Sequence, residues 1–198
     1  MVREVWEGEY MNKKKEIIKD LIVGEKQLIK TSNKETYNII DEFILIHRDK
    51  NGKILHYLDS RDWEHDTLTN IGMQLAAKRL GNVDSTAQFN YIGIGTGTTA
   101  ANAAQTNLET QKSRLSCTPT VVTTTVTNDT LQLDIVFSKA NDAGLTGTDS
   151  ICETGVFNAS GTTDNAMLWR QTFTAISCNW DQGDTLEMIC KTQVKQGS

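Results

Sequence analysis

Three glycines punctuate "YIGIGTGTTAANAAQ", from Tyr91 to Gln105, and the piece "GTGTTA" (Gly95, Gly97, Ala100) formally satisfies the G-x-G-x-x-[GA] pattern of a dinucleotide loop. In such a loop glycine permits a tight turn and close backbone approach to a pyrophosphate seated at a helix N-terminus, and "TAANAAQTNLETQ" is the segment that would form the helix. The accompanying chemistry does not follow. A ribose-binding acid belongs about 20 positions on, where the chain reads "SRLSCTPTVV", and the sequel has period two instead of alternating strands and helices. A P-loop is excluded by the missing G-K-[ST]. The expectation is a structural turn whose glycines serve packing, with no cofactor bound.

His47 and His56 flank a turn and share one face of the expected hairpin, diagonally placed, which raises a metal site. The same face carries Phe43, Leu45, Ile54 and Leu58, so the reading is core histidines and no metal. Asn141, Asp142 and Asp149 in "NDAGLTGTD" offer oxygens for calcium, but not at the alternating spacing of a calcium loop. Cys117, Cys152, Cys178 and Cys190 contain no C-x-x-C pair and read as buried, reduced thiols. All three histidines precede residue 66 and no G-x-S-x-G elbow exists, so no catalytic centre is expected. Trp63, Trp169 and Trp180 could stack bases or sugars. The alternating strand around Trp169 assigns that residue to a core, which leaves Trp180 in its turn as the candidate platform.

The elements that must position these residues fall into two halves. Up to Leu80 the chain is rich in Lys, Glu, Asp, Ile and Leu; after Gly81 it is rich in Thr, Asn, Ala, Gly and Ser. Residues 1–30 read as a charged arm, with "YMNKKKEIIKDLI" a short helix carrying Ile17, Ile18 and Leu21 on one side. Residues 31–65 hold a hairpin, "YNIIDEFILIHR" and "KILHYLD" about the turn "DKNG", with Asn51 and Gly52 supplying the turn chemistry. Residues 66–81 predict a helix capped by Asp66 or Thr67, with Leu68, Ile71, Leu75 and Leu80 near helical spacing and Gly81 as a left-handed stop. Residues 82–198 predict five or six strands: "FNYIGI", "TPTVVTTTVT", "TLQLDIVF", "SICETGVFNA", "AMLWRQTFTAI" and "TLEMICKTQV". The fold class is therefore mainly β, an antiparallel β-sandwich or jelly-roll-like module with an N-terminal arm, a hairpin and one α-helix.

Charge and hydropathy narrow the partners. Twenty Lys and Arg against 25 Asp and Glu leave a net charge of −5, which argues against general duplex binding by phosphate neutralisation. No run approaches the ~20 apolar residues that span a bilayer, and the charged N-terminus lacks a signal peptide's apolar stretch. Synthesis in the cytoplasm, with no membrane and no specific nucleic acid as partner, is expected.

From Asp66 to Val194 the order "LTNIGMQLAAKRLG", "FNYIGIGTGTTAANAAQTNLETQKSR", "ETGVFNASGTTDNAMLWRQTF" and "GDTLEMICKTQV" resembles a recurrent group of tailed-bacteriophage virion proteins. In that group an "IG.GTG...A....T.L..E..R" segment precedes an "E.G.FNA" strand; here Glu109 and Arg114 stand at its charged end. The resemblance implies a non-enzymatic component of the virion, on capsid or tail as a decoration, fibre-anchoring or tail protein. Its partners would be other virion proteins and further copies of itself, and closed cyclic symmetry makes a trimer one expected form of the homo-oligomer. The arm would supply the assembly contact, with Trp6, Tyr10, Ile17, Ile18 and Leu21 as anchors. The alternative is a carbohydrate- or receptor-binding module of a phage fibre or cell-surface assembly, using Trp180.

Overall fold

In "YNIIDEFILIHR" the residue types do not alternate, but the burial does: β1 (Tyr37–Arg48) turns Asp41, Phe43, Leu45 and His47 to a dry face while the residues between them stay half-exposed. The computed structural model describes residues 37–62, 67–161, 164 and 166–196. After β1 come β2 (Ile54–Asp59), β3 (Thr67–Leu68), the helix α1 (Asn70–Leu80), β4 (Tyr91–Gly95) and β5 (Gln111–Ser116). Then follow β6 (Thr120–Val122), β7 (Thr130–Phe137), β8 (Thr148–Phe157), β9 (Met167–Asn179) and β10 (Thr185–Gln196). They form two five-stranded antiparallel sheets: sheet A in the order β2-β1-β10-β7-β6, and sheet B in the order β3-β9-β8-β4-β5. The architecture is the expected β-sandwich. Phe43, Leu45, Leu133, Phe137, Leu186 and Met188 of sheet A meet Ile92, Ile94, Ile151, Val156, Trp169 and Ile176 of sheet B in one core.

The hairpin is part of this sandwich, because β1 pairs with β10 along its whole length, from Tyr37 opposite Gln196 to Arg48 opposite Thr185. Its turn works through a residue beside the expected ones: the Asp49 carboxylate accepts from the backbone N–H of Asn51 (2.9 Å) and Lys53 (3.0 Å), and Gly52 takes φ +80°. Those two bonds hold Asp49 below the usual carboxylate range.

The helix begins later than expected. Thr67 and Leu68 pair with β9, and Thr69 is the N-cap, its hydroxyl accepting from Gly72 N–H (2.8 Å) and donating to Met167 O. A cap tied to a neighbouring strand fixes where the helix can start. The left-handed stop also moves by one residue: Gly81 has φ −81°, and Asn82 has φ +49°. The apolar stripe is weak, with Leu80 90% exposed; the helix meets the sheet through Gly72, where a Cβ would stand 2.2 Å from Leu168 O.

"TPTVVTTTVT" yields only the three residues of β6. Asp129 draws the following chain into a loop by accepting from the N–H groups of Thr124 (2.9 Å), Thr125 (3.0 Å) and Val126 (2.8 Å), and Asn128 turns at φ +61°. Capture of local N–H groups by an aspartate outweighs β-branched propensity here. The strand that propensity missed is β5, which carries Lys112 and Arg114 on the edge of sheet B. In β4 four consecutive residues are buried and in β8 seven. Successive side chains on a strand point to opposite faces, so sheet B is covered on both sides. Among the described residues no helix is long and apolar enough to cross a membrane.

Candidate functional site

The glycine loop does cradle an anion, and the anion is the chain's own Glu153. Glu153 is fully buried. Its Oε1 accepts from the N–H of Gly97 (2.9 Å) and Thr110 (2.8 Å), and its Oε2 accepts from Glu109 N–H (3.0 Å) and from Arg170 Nε (2.8 Å). Arg170, also fully buried, donates through Nη1 to Thr99 O (2.9 Å) and Gln105 Oε1 (3.1 Å), while Nη2 stands 3.5 Å from Glu109 Oε2, an ion pair without hydrogen-bond geometry. Glu109 closes the loop from outside by accepting from both the hydroxyl and the N–H of Thr99, and those bonds hold its carboxyl low. Residues 101–110 form turns, with no helix among them. The N–H groups that would meet a pyrophosphate are thus turned inward and occupied.

The glycines are explained by space. A Cβ on Gly95 would lie 2.4 Å from both Glu153 Oε1 and Thr110 O, and one on Gly97 would lie 2.5 Å from Glu109 Cβ and 2.7 Å from Glu153 Oε1. Gly93 and Gly155 are direct cross-strand partners, and Leu108 and Phe157 lie over the flat floor they make: a Cβ on Gly93 would be 2.9 Å from the Phe157 ring, and one on Gly155 3.4 Å from Leu108. Leu108, Phe157, Ala166 and Met167 form a second apolar cluster apart from the main core. Arg114 lies over the Phe157 ring, its guanidinium carbon 3.5 Å from the centroid, and donates to Ala159 O (3.1 Å) and Gly161 O (2.6 Å). Desolvation pushes its pKa down to about 10. One interlocked clasp therefore joins the loop after β4, the start of β5, the middle of β8 and the loop after it.

The second polar constellation is a line of three hydrogen-bonded side chains. His47 and His56 are directly opposite, not diagonal, on β1 and β2. Their Nδ1 atoms are 3.0 Å apart, the ring planes differ by 5°, and the centroids are 5.3 Å apart. That centroid distance is what the nitrogen separation plus the two ring radii add up to, so the rings meet edge to edge in one plane with a single proton between them. His47 is 1% exposed and its Nε2 donates to Asp184 Oδ2 (3.1 Å), which also accepts from Asn179 N–H (2.8 Å). His56 is exposed. Asp184, His47 and His56 thus form a hydrogen-bonded line from the buried side of β10 to the surface, and the two Nδ1 atoms, engaged with each other, do not converge on a metal. Of the expected face, Phe43 and Leu45 are buried, whereas Ile54 is 49% exposed.

Other sequence candidates are engaged elsewhere. Asp142 accepts from Ser113 Oγ (2.6 Å) and Gly144 N–H (2.8 Å), Asn141 Nδ2 donates to Val136 O (2.8 Å), and Asp149 holds Lys112 Nζ (2.6 Å) and Trp180 Nε1 (2.9 Å), so the three oxygens do not converge. Among the described residues no three metal-ligating side chains form a group. Trp180 is 1% exposed, which removes it as a stacking platform; Trp169, as its period predicts, is in the core, and Trp63 lies outside the described residues. Cys152, Cys178 and Cys190 are buried and Cys117 half-buried, all free thiols, with burial pushing Cys117 up to about 11 and Cys178 up to about 12. Trp6, Tyr10, Ile17, Ile18 and Leu21 also lie outside the described residues.

Sequence reasoning missed Arg170 and Asp41. Arg170 stands in "MLWRQTF", where period alone assigns a strand and not a partner 17 residues back. Asp41 continues the inward alternation of β1 at 5% exposure, and desolvation raises its pKa to about 7 against the opposing hydrogen bond of Thr192. No family model, no curated protein and no solved structure matches the chain.

Proposed function

We propose that the chain is a non-enzymatic structural component of a tailed-bacteriophage virion, assembling as a homo-oligomer on the capsid or tail through residues 1–30 and its sheet surfaces. One observation carries the reading. The separate words by which the sequence resembles those virion proteins are physically a single unit: Gly93, Gly95 and Gly97 from "IGIGTG", Leu108, Glu109 and Arg114 from "TNLETQKSR", and Glu153, Gly155 and Phe157 from "ETGVF" all meet in the clasp. A motif set maintained by packing and internal hydrogen bonds, with its anion site filled by a side chain, suits a rigid module whose task is to hold shape in an assembly. Burial of Trp180 takes away the aromatic surface on which a glycan-binding role was built.

The test is incorporation. Phage particles assembled with a chain lacking residues 1–30 are expected to lack the protein, while the truncated chain keeps a cooperative β-type unfolding transition on its own. Particles that incorporate the truncated chain normally would overturn the arm's role, and a purified chain turning over a substrate in an activity screen would overturn the non-enzymatic reading.

A further inference from the structure

The dry face of sheet A runs out at Asp41. In register across the sheet, Asp41 of β1 lies opposite Thr192 of β10, and Thr192 opposite Leu131 of β7. One row further out Ile39 lies opposite Val194, and there the cover is gone: Asp41 is 5% exposed, Ile39 37% and Val194 56%. The carboxyl thus sits about 7 Å of strand from a row that water already reaches. The sheet also narrows here. β7 accompanies β10 only as far as Thr130 opposite Gln193, and β2 accompanies β1 only over Ile44–Arg48. Among the described strands, Tyr37–Ile40 and Val194–Gln196 therefore have only each other, a two-stranded ribbon beyond the core, and such ribbons are marginal on their own.

Nothing in this corner suits a charge. Asp41 accepts from the Thr192 hydroxyl, which in turn accepts from the Trp169 indole N–H (3.1 Å), and Asp41 Oδ1 has no donor among the described residues. On the same face of sheet A the ionisable side chains are the Cys190 thiol one row inward and His47 three rows inward. Sheet B adds the thiols of Cys117 and Cys178 to the core. Glu42 and Lys191 lie 4.0 Å apart on the outer face, and Arg61 is held by Asp59. No cation on these elements offsets an ionised Asp41, and desolvation accordingly lifts its pKa to about 7.

We propose that the ribbon, Tyr37–Ile40 against Gln193–Gln196, is a proton-operated latch, closed while Asp41 carries its proton and opened when the proton leaves. An ionised carboxylate needs water, and parting the end rungs of a ribbon whose side chains are already exposed admits it at less cost than breaching the core at Phe43. The latch lies where residues 1–36 lead into sheet A, so pH sets how many residues of β1 belong to the sheet. In the open end Asp41 is hydrated and ionises near pH 4; in the closed end it ionises near pH 7. Opening therefore becomes about tenfold easier per pH unit between those values and no easier above them.

Amide hydrogen exchange of the purified chain, corrected for its intrinsic pH dependence, reads the latch from pH 4.5 to pH 8.5. Protection of the amides of Asn38–Asp41 and Val194–Gln196 is expected to fall about tenfold per pH unit up to about pH 7 and then to level off, staying well below that of Ile92–Ile94 in sheet B. Asp41→Asn is expected to hold protection constant across the range. Thr192→Val removes the hydrogen bond that favours the carboxylate, so the fall is expected to continue to higher pH before it levels. Circular dichroism checks that both variants are folded, and the wild-type profile decides by itself should either fail. Ribbon amides indifferent to pH, or an Asp41→Asn profile that still falls, would overturn the latch. Ribbon amides as protected as Ile92–Ile94 would overturn it too, since Asp41 would then act only through unfolding of the whole sandwich.

Discussion

Sheet A and sheet B have the same number of strands, yet they are built on different plans. In β1 of sheet A burial alternates, and the outer face shows half-exposed Ile44 and Ile46 beside charges paired loosely, Arg48 with Glu187 at 3.7 Å and Lys191 with Glu42 at 4.0 Å. In β8 of sheet B burial is continuous, because loops and α1 lie across the outer face. Their buried carboxylates differ in the same sense. Glu153 receives three backbone N–H groups and an arginine, whereas Asp41 has the Thr192 hydroxyl opposite it and an Oδ1 without a partner among the described residues. A second cover supplies backbone donors that a bare sheet, with its N–H groups spent on neighbouring strands, cannot offer. That difference is the reason a full ion pair is tolerated in one sheet and a lone acid is driven toward its neutral form in the other.

The largest expected effect comes from breaking the covered side. Glu153→Gln leaves the buried Arg170 with only the more distant, part-exposed Glu109 as counter-charge and should cost about 3 kcal/mol in urea-monitored unfolding. Arg170→Met should cost less, because three N–H donors still serve the carboxylate, and the double variant should recover part of the loss. Additive costs would mean that the two side chains are not coupled and that the clasp is held by packing alone.

Asp41 tests the other side of the contrast. Its folded-state pKa of about 7 lies above the unfolded value, so between about pH 4 and pH 7 the folded state binds more protons. Stability should therefore fall as pH rises through that window and level off above it, by up to about 4 kcal/mol from this group. Asp41→Asn should flatten the profile and leave the variant more stable than wild type at pH 8. Thermal unfolding at pH 4.5 and pH 8 reads the difference directly, and equal slopes for the two proteins would remove Asp41 as its source.

Sheet A was legible where a one-sided strand writes its period into the chain: "LQLDIVF" alternates and puts Leu133 and Phe137 in the core, whereas "FILIHR" is apolar at four successive positions and only its place beside the turn marks it as a strand. Sheet B is harder to read, since a strand buried on both faces loses its period, and the side chains covering it come from segments such as "TAANAAQTNLETQ" that have no period of their own. The clasp was half legible. Gly95 and Gly97 announced a close approach, but the approaching group, Glu153, is 56 residues from Gly97, and Arg170 lies on yet another strand. Local sequence shows that space is required and not what fills it. The edge strand β5 was missed for a related reason: Lys112 and Arg114 break its apolar pattern because their partners, Asp149 and the loop after β8, are distant in the chain.

Two glycines separate space from backbone angle. Gly97→Ala should cost about 1–3 kcal/mol by overpacking against Glu109 and Glu153, and Gly97→Asn should be worse. Gly52, at φ +80° with nothing within 4 Å of its would-be Cβ, should lose about 1 kcal/mol as alanine and recover part of it as asparagine, which tolerates the left-handed region. The same order of effects at both sites would contradict the assignment of Gly97 to close packing.

The smallest effect is the sharpest comparison, because it makes one chemical change on the two sheets. Val136 in β7 is 37% exposed on sheet A, and Val156 in β8 is fully buried in sheet B. Valine to threonine keeps the branched shape and replaces a methyl with a hydroxyl. At Val136 water can solvate that hydroxyl, and the cost should stay within about 0.5 kcal/mol. At Val156, packed among Ile92 and Trp169, the hydroxyl must find a partner in the core or go without, for about 1–3 kcal/mol. A matched pair of denaturant midpoints measures it. If Val136→Thr proves as costly as Val156→Thr, the outer face of sheet A is covered in solution.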